Sequence, residues 1–188
     1  MTSRLSPRRS LQRGAAVSAL IAALALAPSG AFAQSRPPIA GYGKTVAVEN
    51  AGERPDPALD YKLVMSVTED GGDDAPPPAL DAAARLVNLL AQSGVPAGRR
   101  HIVVVLHGPA TLAVLNEAGL KARGKTVNPS APLIAKLTEA GVSVRVCGQA
   151  LAAAKIARSE VLPQVQVDLS ALTTLSTLEM RGYALLPE

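Results

Sequence analysis

From Tyr61 onward, short apolar runs alternate with segments whose apolar residues recur at helical spacing. Tyr61-Lys62-Leu63-Val64-Met65-Ser66-Val67 reads as a first strand, followed by an acidic and then proline-rich loop, Glu69 to Pro78. Ala79 to Gln92 keeps a helical period through Leu80, Ala84, Leu86, Val87, Leu90 and Ala91, and Gly94 and Pro96 end it. His101 to Leu106 is almost wholly apolar, as a strand buried on both faces of a parallel sheet must be. Pro109 opens a second helix through Ala110 to Glu117, stopped at Gly119. Leu120 to Val127 is a cationic connection, and Asn128-Pro129-Ser130 opens a third helix, Leu133 to Glu139. Val142 to Cys147 is the third strand, Gln149 to Arg158 an alanine-rich fourth helix, and Val165 to Val167 a short fourth strand. Ser170 caps a fifth helix running to Met180, Gly182 closes it, and Tyr183 to Leu186 is the fifth strand.

This alternation predicts an α/β domain built on a parallel sheet. Ligands of such sheets bind beyond the carboxyl ends of the strands. Glu69 to Asp74, His107-Gly108 and Cys147-Gly148-Gln149 occupy those ends.

The preceding residues read differently. Gln34 to Asp60 is broken by Pro37, Pro38, Pro55 and Pro57, which predicts an extended arm with a short strand at Thr45 to Val48. Residues 1–33 read as a cleavable signal peptide. Arg4, Arg8, Arg9 and Arg13 form its positive start, Ala15 to Ala27 its apolar stretch, and Ala31-Phe32-Ala33 its cleavage site. The stretch is shorter than the roughly 20 residues a bilayer span needs. Arg8-Arg9-Ser10-Leu11 partly matches a twin-arginine signal, but Gln12 weakens the match and the general secretory route is expected. A periplasmic or secreted domain, 61–188, with no membrane attachment after cleavage, is the expectation.

This changes the meaning of the charge. The whole chain carries a formal +4, yet all of the surplus lies before Gln34, beyond which 15 cations face 15 anions. A basic footprint for nucleic acid disappears. Beyond Ala33 the aromatics are Tyr42, Tyr61 and Tyr183, too few for a stacking platform. One cysteine excludes an intramolecular disulfide, and two histidines with one cysteine argue against a zinc site. No metal or cofactor is expected.

Cys147 is the sharpest chemical candidate, because a thiol where a strand meets a helix start is favoured as thiolate. The competing reading is a buried thiol acting as a small hydrophobe. His107, in Leu106-His107-Gly108-Pro109-Ala110-Thr111, is an acid–base candidate or a histidine held by backbone bonds. Gly119 to Thr126 fits the spelling of a phosphate-binding loop but not its context. A helix precedes it, and Val127-Asn128-Pro129 separates it from the next helix. Glu69, Asp70, Asp73 and Asp74 lack calcium-loop spacing and read as a solvated acidic loop.

An ordered series of short motifs resembles the DsrE/DsrF-like family, in its exported branch. The series is Ala84-Arg85-Leu86-Val87-Asn88, His107-Gly108-Pro109-Ala110-Thr111, Asn128-Pro129, Gly141-Val142, Val146-Cys147-Gly148-Gln149, Leu169-Ser170-Ala171 and Gly182-Tyr183. The resemblance implies a three-layer α/β/α sandwich around a mainly parallel five-stranded sheet, and a homo-oligomer, trimer or hexamer. Its better understood relatives pass sulfur as a cysteine persulfide, and Cys147 takes the place of their working cysteine. The expected activity is a sulfur carrier or sulfane-sulfur-handling protein with an unidentified donor or acceptor protein. Cys147 would be the nucleophile, with His107, Gly108, Asn88, Asn128, Gly148 and Gln149 lining its pocket. The alternatives are a binding module for a small molecule or anion, or an oligomeric structural subunit, with Cys147 only lining the pocket.

Overall fold

A computed structural model describes residues 1–2 and 38–187. The expected export signal lies outside the described residues, Met1 and Thr2 apart. Five strands form one parallel sheet in the order β4-β3-β2-β1-β5. They are β1 (Tyr61–Val67), β2 (Arg100–Leu106), β3 (Ser143–Cys147), β4 (Gln166–Asp168) and β5 (Ala184–Leu186). The connections carry α1 (Pro78–Gln92), α2 (Glu117–Lys121), α3 (Ala131–Glu139), α4 (Gly148–Ala153) and α5 (Ala171–Met180).

The sheet is central because β2 is apolar on both faces. Ile102 to Leu106 are all buried, and β2 pairs with β1 over its whole length. One face carries Met65, Val67, Ile102, Val104, Leu106, Val144 and Val146. On it pack Leu80, Ala83, Val87 and Leu90 of α1 and Leu133, Ile134 and Leu137 of α3. The other face carries Val64, Val103, Val105 and Cys147 under Ala171 and Leu178 of α5. The three layers are thus α1 with α3, the sheet, and α5.

The helix ends follow their local chemistry. Pro78 opens α1 with the φ that a helix start requires, and Asp81 places negative charge in its first turn. Ser170 caps α5, its Oγ accepting from the Leu172 N–H at 3.3 Å.

Three expectations are corrected. The segment after β2 is a 3₁₀ turn over Gly108–Val114 followed by α2, and not one helix stopped at Gly119. Asn116 caps α2 through the Gly119 N–H at 3.1 Å. Gly119 lies inside α2, and it is glycine there because a Cβ would sit 2.8 Å from the Glu160 carbonyl oxygen. The fourth helix ends at Ala153, and Lys155 turns the chain at φ +53°. Thr45 to Val48 forms no strand, since no sheet edge pairs with it.

The arm is nonetheless anchored. Ile39 is completely buried in the larger core, and Gly43 lies so close to α1 that a Cβ would come within 2.2 Å of the Arg85 nitrogen. Among the described residues, no helix is long and apolar enough to cross a membrane.

Candidate functional site at the carboxyl ends of the strands

Side chains alternate across a strand, so one face of the sheet receives every second residue. On the α5 face the last such residues are Ser66 of β1, His107 just beyond β2, Cys147 of β3 and Asp168 of β4. Leu106 is in register with Val146, so His107 and Cys147 follow side by side. Cys147 is in turn in register with Asp168. Four neighbouring strands therefore place a hydroxyl, an imidazole, a thiol and a carboxylate along one edge.

His107 is held in extended backbone at φ −154° and ψ 176°, with its N–H donating to the Val67 carbonyl at 2.9 Å. Its Nε2 lies 2.9 Å from the Ser66 hydroxyl, which donates or accepts according to the imidazole tautomer. Gly108 then turns the chain at φ +55°, a conformation that favours glycine, and is itself exposed.

Cys147 ends β3 and precedes α4. It is 5 % exposed and packs in the smaller apolar cluster with Val105, Ala171 and Leu178. Gly148 is fixed by close approach of β4, because a Cβ would meet the Asp168 carbonyl oxygen at 2.7 Å and that of Leu169 at 3.3 Å. Gln149 points into solvent and makes no side-chain hydrogen bond with the described residues.

Asp168 accepts from three donors. Thr174 Oγ1 donates to it at 2.9 Å, Gln166 Nε2 at 2.6 Å and Arg145 Nη1 at 3.4 Å. Arg145 also donates from Nε to Ser143 Oγ at 3.0 Å. Ser66, Arg145 and Asp168 were not among the expected site residues. The signal for Arg145 was available: a cation inside the apolar run Val144 to Cys147 needs a partner, since an unpaired buried charge is costly.

Two expected pocket residues lie elsewhere. Asn88 projects from α1 on the opposite side of the sheet and is buried. Its Oδ1 accepts from the Ile39 N–H at 3.0 Å, and its Nδ2 lies within 3.2 Å of the Ile39, Tyr42 and Gly43 carbonyls. It fastens the arm. Asn128 donates to the Ala113 and Leu115 carbonyls at 2.9 and 2.7 Å and accepts from the Ser130 N–H at 2.8 Å, so it shapes the entry to α3.

The cationic connection is also occupied by structure. Arg123 pairs with Glu160 at 3.1 Å and donates to the Gly119 carbonyl at 2.8 Å, and Lys125 pairs with Asp73. Glu160 accepts from the Ala157 N–H, and that bond and Arg123 hold its carboxyl below the usual range. At the amino end of β2, burial lowers the Arg100 guanidinium, whose Nε and Nη1 are buried without a partner. Among the described residues no cluster of histidine, cysteine, aspartate and glutamate could hold a metal ion.

A family model for the DsrE/DsrF-like family matches residues 53–187. The chain belongs to the DsrE/DsrF-like family. The match covers every strand and every α-helix described above and begins within the arm, beyond its anchor at Ile39 and Gly43. Among solved structures, a protein of unknown function from Methanobacterium thermoautotrophicum, MTH1491, superposes with a TM-score of 0.53. It is 19 % identical, over 69 % of this chain and 100 % of that one. The ychN protein from E. coli gives a TM-score of 0.49 at 16 % identity, over 68 % of this chain and 99 % of that one. The first of these shares the fold. A comparison with the curated proteins returned no match.

Proposed function

We propose that this DsrE-family protein is an exported sulfur carrier in which Cys147 holds sulfane sulfur as a persulfide. The observation that carries the reading is the position of Cys147 at the carboxyl end of a central strand, beside His107 on the same face. The step needs neither a metal nor a nucleotide. The Cys147 thiolate attacks a sulfane sulfur, its Sγ–S bond forms, and the donor's S–S bond breaks. The electron pair leaves on the donor's remaining sulfur, so no outside oxidant or reductant takes part. His107, oriented by Ser66, is suited to accept the thiol proton. Gly148 lets β4 approach closely beside Cys147, and Gly108 directs the chain away after His107.

Export rests on the sequence of residues 1–33, and assembly as a trimer or hexamer rests on the resemblance to the family. Incubation of the protein with polysulfide, followed by intact-mass measurement, tests the carrier reading. One added sulfur on wild type and none on Cys147→Ser is expected. No adduct on either, or the same adduct on both, contradicts it. The burial of Cys147 favours a second reading, a binding module in which the thiol only lines the site. An intact fold with a thiol inert to both polysulfide and small alkylating agents would support that second reading.

A further inference from the structure

The α5 face of the sheet is covered unevenly. α5 packs over β1 and β2. The β3–β4 half lies beside the flank of α5 and presents Ser143, Arg145, Gln166 and Asp168. Between this half and α5 is an open hollow of about 220 Å³, whose wall includes Arg145, Arg181, Asp168, Thr173, Thr174 and Thr177.

The hydrogen bonds separate the engaged groups from the free ones. Thr174 donates to Asp168, and Thr173 donates to the Ser170 carbonyl at 3.1 Å. Arg145 commits Nε to Ser143 and Nη1 to Asp168. Asp168 already takes three donors. Among the described residues, Arg145 Nη2, the whole Arg181 guanidinium and the Thr177 hydroxyl make no side-chain hydrogen bond. The unused groups are thus the N–H donors of two cations and one hydroxyl, and the lining sets two guanidiniums against one carboxylate.

We propose that this hollow binds a small tetrahedral dianion of the sulfate, phosphate and thiosulfate class. Arg145 and Arg181 supply charge and planar N–H donors, which match oxyanion geometry, and Thr177 supplies a hydroxyl. Asp168 orients Arg145 through Nη1, and the two guanidiniums outweigh its single negative charge. The volume holds several waters at about 30 Å³ each, which leaves room for such an anion with part of its hydration shell. The site adjoins Cys147 through Asp168, its register partner, yet binding there does not depend on thiol chemistry.

Calorimetric titration of the purified protein with sodium sulfate, phosphate and thiosulfate tests the inference. Wild type, Arg181→Ala, Thr177→Val and Cys147→Ser are compared at constant ionic strength. Saturable binding is expected in wild type, with mutual competition among the anions. Arg181→Ala should weaken it at least about fivefold, one lost charge-assisted contact. Thr177→Val should weaken it less, and Cys147→Ser should leave it unchanged. Arg181 is exposed, so its replacement leaves the core intact. Arg145→Lys, which keeps charge and loses the fork, gives a second reading of the same site. Absence of saturable binding, or equal affinity in wild type and Arg181→Ala, overturns the proposal. Absence of a persulfide on Cys147 with anion binding intact contradicts the sulfur-carrier reading alone.

Discussion

Asn88 clasps Ile39 at both ends, accepting from its N–H at 3.0 Å and lying 3.1 Å from its carbonyl oxygen with Nδ2. Both residues are buried, so the clasp substitutes for water that the arm's backbone has lost. Asn88→Ala leaves these groups unpaired and should cost about 3 kcal/mol, since each unsatisfied buried group costs roughly 1–3. Urea denaturation gives the loss. Hydrogen exchange should show the amides of Ile39 and Gly43 opening first, whereas an unchanged midpoint would mean that the arm is not fastened there.

Gly148 and Gly108 flank the site with opposite tolerance. Gly148→Ala drives a Cβ against the Asp168 and Leu169 carbonyl oxygens, fixed backbone that cannot swing aside. A loss of about 1–3 kcal/mol is expected from such overpacking. Gly108→Ala meets nothing nearer than the Thr68 carbonyl oxygen at 4.0 Å, so its cost is conformational, about 1 kcal/mol at positive φ. Thermal melts of the two variants should rank in that order.

Cys147 is buried, so bulky reagents should reach it only through opening of the fold. Maleimide labelling of the native protein should run at least about tenfold slower than in denaturant. Equal rates would mean that the thiol is exposed.

Glu160 links α2 to the turn before β4 and has a depressed carboxyl pKa, chiefly through the Ala157 N–H and then through Arg123. A carboxylate whose folded pKa is lowered contributes stability above its unfolded value of 4.5, and that contribution is lost as pH falls through the folded value. Glu160→Gln should therefore melt lower than wild type at neutral pH, and the difference should vanish in acid. A difference independent of pH would rule out the charge as its source.

Much of the fold was legible because the strands carry their own signal. Ile102 to Leu106 could only be a buried strand, and Gly141 and Gly182 mark helix ends with positive φ. The helix from Gln149 ends sooner than its alanine-rich run suggests, because that run contains no glycine to mark the stop, and Lys155 at positive φ closes it with the Ile156 N–H donating to the Leu151 carbonyl at 2.9 Å. Thr45 to Val48 has strand composition but no edge to join. The placement of His107 and Cys147 at strand ends is legible from the apolar runs that precede them. Asn88 was misread because a polar residue on a buried helical face signals an obligation to hydrogen-bond without naming the partner. Its partner is arm backbone, which side-chain patterning does not reveal. Asp168 becomes visible only with strand order, since β3 and β4 must be adjacent for it to reach Arg145.

The proposed function is sulfur carriage by Cys147. Its most direct test is treatment of the folded protein with polysulfide, alkylation of the persulfides formed, and mapping of the product by peptide mass spectrometry. One additional sulfur atom is expected on the peptide bearing Cys147, removed by reductant and diminished in His107→Ala. An unmodified Cys147 peptide from folded, polysulfide-treated protein would contradict it.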